Sequence, residues 1–150
     1  MLKVDNTARK NRLPRFLTAY SARLRRRRLL LVPAVLLVLF PFGRLAEQWP
    51  AFGFWLDRVF ATELAHAIGH GAIFFALGML LLGLFPGLCL RLHLYLGLLL
   101  SVALGQECLQ LLYKQRVPAF DDARDLLIDL LGIMTAFLVV WIRQRRNPHA

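Results

Sequence analysis

Acidic residues are scarce in this chain: nine Asp and Glu stand against 19 Lys and Arg in 150 residues, a formal net charge of +10. Cysteine is scarcer, with only Cys89 and Cys108. Two thiols cannot build the disulfide framework of a small secreted domain. Placed toward opposite ends of neighbouring apolar segments, they are expected to stay unpaired and act as packing residues. The chain also lacks a serine-nucleophile motif, a glycine-rich phosphate loop and a Cys/His zinc spacing. No internal repeat or low-complexity linker divides it, and nothing marks a second domain. What is abundant is apolar. A hydrophobic fraction of 58% with a mean hydropathy of +0.54 exceeds that of an ordinary soluble domain and points to the membrane class.

Between Glu63 and Arg91 the only ionisable side chains are His66, His70 and Cys89, leaving 27 residues, Leu64 to Leu90, without a formal charge. About 20 suffice to cross a hydrocarbon core. A second run, Leu92 to Tyr113, carries one charge, Glu107, and a third, Leu126 to Ile142, carries one, Asp129. The stretch Leu29 to Gly43 has 15 residues and covers roughly 22 Å as a helix, so it spans only by running past Arg44, whose head group can snorkel. A basic region followed by an apolar run is also the layout of a signal peptide. Pro33 and Pro41 interrupt the apolar run, and no small-x-small cleavage site follows it, so a retained anchor is expected. The reading is all-α: a polytopic membrane four-helix bundle over residues 29–142, with spans at about 29–46, 66–88, 93–113 and 124–142.

The charges orient this bundle. Residues 1–28 hold ten Lys and Arg against one Asp, and the tail 143–150 adds three Arg. The loop from Gly43 to Ala65 is slightly acidic, and Lys114 to Asp125 is balanced. The positive-inside rule then places both termini in the cytoplasm of a multi-pass inner-membrane protein. The arginine-rich arm invites a nucleic-acid reading, but no stacking aromatics or nucleic-acid motif accompany it. Topology and contact with anionic membrane lipids explain it better, so no nucleic-acid partner is expected. The outer loop carries Trp49, Phe52, Phe54, Trp55 and Phe60, as suits a segment lying at headgroup level.

Small residues recur every four positions at Gly97, Ser101 and Gly105, and again at Gly132 and Ala136. Such faces let helix backbones approach closely, so these are the expected packing positions. Polar residues gather near the same ends. His66 and His70 are spaced i, i+4, Glu107 and Gln110 i, i+3, and Asp122, Asp125 and Asp129 share a face; Arg116 lies in the loop between the acidic groups. Exposed separately to lipid these groups would be costly; gathered in one wet, paired cluster they are tolerable. A metal held by the two histidines with Glu107 and Asp125 is chemically possible, but hydrogen bonding is the commoner role of a membrane histidine, and no metal or other cofactor is expected. Glu107 suits either a general base with a proton to carry or an ion pair with Arg116 or Arg124. Asp129, a turn deeper than Asp125, faces a partner helix or is protonated. Asp121 and Asp122 suit the start of the last helix, where the dipole favours acids.

Taken in order, His70 in HGAIFFALGMLL, Glu107-x-x-Gln110, Arg116, Asp125 in DLLIDLLG, Asp129 and Gly132 resemble the VanZ-like family of small bacterial membrane proteins, over roughly residues 66–140. Some positions depart from that pattern. His66 and Ala67 stand where the family often has Asp-Lys, the segment between Arg116 and Asp125 is longer, and Asp129 stands where Asn is common. The resemblance implies a four-span protein of the cell envelope, whose namesake is associated with resistance to the glycopeptide teicoplanin. The expected site is an outward-facing polar pocket of His66, His70, Glu107, Gln110, Arg116, Asp125 and Asp129. It would bind the headgroup or sugar of a lipid-linked envelope component. One alternative is a non-catalytic partner subunit, in which the cluster staples helices or docks another membrane protein. A second is a membrane enzyme using acid/base carboxylates, disfavoured because no nucleophile is evident. A proton-coupled transporter is weaker still, since four spans are few and no inverted repeat is visible.

Overall fold

The computed structural model describes residues 29–146, and every regular element among them is helical. The basic arm at 1–28, with its expected lipid contacts, and the last four residues lie outside the described residues. The order is α1 (Leu29–Leu39), α2 (Phe42–Gln48), α3 (Pro50–Val59), α4 (Glu63–Leu84), a 3₁₀ turn (Pro86–Leu90), α5 (Leu92–Lys114) and α6 (Phe120–Arg146). By length and composition α4, α5 and α6 can each cross a membrane. The helices α1 and α2, bent by 57° at Phe40–Pro41, add a fourth crossing if they count as one broken span. The bend follows from Pro41, which cannot donate the amide that would continue α1.

Local chemistry sets the other boundaries. The extended residue Thr62 caps α4, its hydroxyl accepting from the Ala65 amide at 3.1 Å with Glu63 in the first turn. The helix therefore begins at Glu63, one turn before His66. At its far end Phe85 is driven out of the helical region (φ −132°) by the following Pro86. Helix α5 stops at Gln115, which adopts a left-handed conformation (φ 48°). Before α6, Asp122 reaches back to accept from the Ala119 amide at 2.7 Å. That is the acidic half of a capping box.

Helices α4 and α6 run in the same direction, with α5 antiparallel between them in sequence. The core lies among them, built from Phe74, Leu77, Leu81, Tyr95, Leu99, Ala103, Ile133 and Phe137. The Tyr95 hydroxyl is buried there and donates to the Ile133 carbonyl at 2.8 Å. Leu31, Ala34, Val35 and Val38 of α1 pack against this core from one side. Trp49, Phe54 and Trp55, at the start and middle of the α3 segment, project outward.

Close backbone approach occurs in two places: Gly53 of α3 leaves room for the Ala46 carbonyl of α2, 2.7 Å from where a side chain would start, and among the long helices it occurs between α4 and α6. A side chain added at Gly132 would meet the Gly71 carbonyl and come within 3.1 Å of the Phe75 amide nitrogen, and one at Gly78 would meet Ala136 at 2.9 Å. The small residues of α5 do something else. Gly97 has nothing near its missing side chain among the described residues, and Gly105 meets only the end of Leu39 at 3.6 Å. Ser101 is exposed and bonds back to its own helix at the Leu98 carbonyl, 2.7 Å away. The expected α5 seam at Gly97, Ser101 and Gly105 is thus replaced by a seam of Gly71 and Gly78 against Gly132 and Ala136. Sequence spacing located the α6 half and not its partner, because glycine stripes arise readily in apolar helices and only packing selects among them.

Candidate functional site

At one end of the bundle α4 and α6 begin, α5 finishes, and α2 and α3 cover the approach. The Thr62 cap fixes the phase of α4, so His66 and His70 stack one turn apart, ring centroids 4.7 Å from each other. The Gly71–Gly132 approach brings α6 alongside. His66 Nε2 then lies 3.4 Å from Asp125 Oδ2, and His70 Nδ1 lies in hydrogen-bond geometry 3.0 Å from Asp129 Oδ1. The two pairs form a ladder descending into the bundle. Its upper rung is half open and its lower rung is buried, Asp129 being 0% exposed.

Glu107 enters this ladder from α5 and is 6% exposed. One ligand-capable atom from each of His70, Glu107 and Asp129 lies within 4.8 Å of the others, and the same holds for His66, His70 and Asp125. Neither carboxylate oxygen of Glu107 has a hydrogen-bond partner among the described residues, nor has Asp129 Oδ2 or the neighbouring Gln106 Oε1. Buried carboxylate oxygens without donors are costly in any protein and more so at membrane depth.

The expected ion pair of Glu107 with Arg116 or Arg124 does not form. Arg116 grips Asp122 with both guanidinium nitrogens, one at 2.8 Å, and those hydrogen bonds raise its pKa above the ordinary arginine value. Arg124 reaches across to Glu63 on α4 at 3.0 Å. Each arginine is therefore engaged by another acid: Arg124 by the exposed Glu63, and Arg116 by one only six residues away that the capping geometry has already fixed. The missed partner was Asp122. Its signal lay in the order Pro118, Ala119, Phe120, Asp121, Asp122, which puts an acid at the third helical position after a proline-terminated loop. Gln110 does join the site, accepting from the Lys114 ammonium at 3.2 Å.

Two cavities meet here. One, of about 380 Å³, is walled largely by apolar groups such as Leu39, Phe40, Ile73 and Leu109. The other, of about 410 Å³, is bordered by Glu63, Arg116, Asp121, Arg124 and Asp125. Phe60, His66, Gln110 and Lys114 line both.

A family model described as VanZ/LLP1 matches residues 13–144 of the sequence. The chain belongs to the VanZ-like family. No curated protein and no solved structure matches it. Within this VanZ-like fold the polar residues that carried the resemblance fall into two groups. His70, Glu107 and Asp129 converge inside the bundle, with Asp125 at its mouth beside His66, a position that departs from the family pattern. Gln110 and Arg116 stand at the cavity rim, with Arg116 turned to Asp122.

Proposed function

We propose that this VanZ-like chain is a four-span protein of the bacterial inner membrane with both termini in the cytoplasm, α1 and α2 forming one bent first span. Its paired cavities open toward the outer face and bind a lipid-linked envelope component. The apolar cavity takes the start of the lipid chain, and the polar cavity takes its phosphate, sugar or headgroup. Occupancy changes what is exposed or made at the outer surface, and with it susceptibility to glycopeptides such as teicoplanin. The observation that supports this reading is the pairing itself: an apolar and a charged cavity share the wall of Phe60, His66, Gln110 and Lys114. An amphipathic ligand needs that adjacency, because a mostly apolar site with a few placed polar groups is what fixes its orientation. The uneven basic charge and the outward aromatic residues of α3 agree with the orientation.

The ion pairs Arg116–Asp122 and Arg124–Glu63 favour a second role for those four residues, that of stapling helix ends. A test of ligand binding therefore avoids them. Gln110→Leu and Lys114→Ala are expected to insert at wild-type levels, lose lipid-linked glycan that co-purifies with the wild-type chain in native mass spectrometry, and abolish any shift in teicoplanin susceptibility. Full retention of bound lipid and phenotype in both variants would remove the cavities from the mechanism.

A further inference from the structure

We infer that His70, Glu107 and Asp129 form a binding site for one divalent transition-metal cation of the zinc class. Three observations converge. The residues come from three different helices, yet present ligand-capable atoms within 4.8 Å of one another. All three side chains are more than nine-tenths buried. Three of the four carboxylate oxygens in the cluster, both of Glu107 and Oδ2 of Asp129, have no donor among the described residues. A dication bound through His70 Nδ1 would replace its 3.0 Å hydrogen bond to Asp129 Oδ1, and Asp129 would then turn one of its two oxygens to the ion.

Charge balance gives the physical reason. Two carboxylates at this depth carry two negative charges, and a protonated His70 would neutralise one. The two nearby arginines are committed to Asp122 and Glu63. A dication neutralises both carboxylates and supplies an electrophile to one oxygen of each, reducing the penalty that unpaired buried charges incur. The ligand set selects the metal class. An imidazole beside two carboxylates suits zinc and its transition-metal neighbours better than magnesium or calcium, which prefer oxygen alone. Bonds of about 2.0–2.2 Å hold ligands at most roughly 4 Å apart, so side-chain closure of about 1 Å completes the site. Three protein ligands leave a coordination position free, as in catalytic rather than structural zinc sites. His66 and Asp125, one turn nearer the cavity mouth, lie on the route of entry.

This inference does not rest on the lipid-binding reading, since metal uptake is measured with no lipid ligand present. The full chain, with Cys89 and Cys108 replaced by alanine to remove thiol binding, is purified in detergent, stripped with chelator and titrated with zinc(II) and with cobalt(II). The expected result is about one zinc per chain, with cobalt giving the intense visible bands of a low-coordinate site, and with excess magnesium failing to compete. The near-isosteric Glu107→Gln and Asp129→Asn are expected to weaken binding at least tenfold to a hundredfold, the loss typical even of outer-shell partners. Their metal-free melting temperatures are expected to match or exceed that of the metal-free parent, which separates ligand loss from misfolding. Less than about one-tenth of an equivalent of zinc in the parent would overturn the inference. So would binding that survives Glu107→Gln and Asp129→Asn but is abolished by His66→Ala, because the ion would then sit at the mouth.

Discussion

Replacing Gly132 by alanine tests the structure where it departs most from pattern reading. The added methyl would strike the Gly71 carbonyl and stand 3.1 Å from both the Gly71 carbonyl carbon and the Phe75 amide nitrogen. All three are backbone atoms of α4, so no side chain can rotate away, and the helices must separate. Overpacking of this kind costs about 1–3 kcal/mol, and rigid neighbours put this case near the upper end. Exchanging a helical glycine for alanine returns about 1 kcal/mol of propensity. The net expectation for Gly132→Ala is destabilisation by about 2 kcal/mol. Gly97→Ala, which meets nothing within 4 Å among the described residues, keeps only the propensity gain and is expected to stabilise by up to about 1 kcal/mol. Thermal unfolding of the two full-length variants in detergent, followed by circular dichroism at 222 nm, should therefore move in opposite directions. Shifts of the same sign would refute the assignment of the α4–α6 seam. A further consequence reaches the buried cluster: Gly132→Ala is expected to weaken zinc uptake although Gly132 offers no ligand atom, because the separation it forces lies beside His70.

Two more perturbations bear on the loop and the orientation. Asp122→Ala is expected to raise hydrogen exchange at the Ala119 amide about ten- to a hundredfold, since a charge-assisted bond is worth roughly 1.5–3 kcal/mol, whereas Arg116→Gln leaves that bond in place and should change it far less. Unchanged exchange in Asp122→Ala would mean that the loop is ordered by something else. For orientation, Val117, which is 81% exposed, is replaced by cysteine in a background without the two native thiols. It is expected to react with a membrane-impermeant maleimide on intact spheroplasts, while Asn147→Cys should react only after permeabilisation. The reverse pattern would invert the proposed topology.

Hydropathy was enough to recognise an all-helical membrane protein, because spans of 22 to 27 residues need no tertiary information to be visible. The stacking of polar residues within each helix was also legible, since i, i+4 spacing places His66 above His70 and Asp125 above Asp129 whatever the helices touch. Pairing across helices was not. Whether Glu107 meets an arginine depends on which acid lies nearer, and Asp122 won Arg116 through a loop whose turn fixed the distance. Nor could spacing choose between Gly97 and Gly132, which look alike in one dimension. The break at Pro41 was foreseeable as an interruption, but the 57° angle it takes was not.

The glycine seam and the polar cluster are parts of one arrangement. Gly71 directly follows His70, and Gly132 lies three residues beyond Asp129, on the same side of α6. A side chain at Gly132 would meet the α4 backbone and hold α4 and α6 apart, and the 3.0 Å contact between His70 and Asp129 would not close. Close approach in turn excludes water from Asp129 and strips its free oxygen of donors. Thus the same packing that makes the pair possible also leaves the pair incomplete. A bundle needing only a helix staple would satisfy that oxygen or omit it, since an apolar isostere is often as stable as a buried ion pair. Retaining three carboxylate oxygens without a donor among the described residues, beside an imidazole, makes chemical sense for a site completed by something from outside the chain.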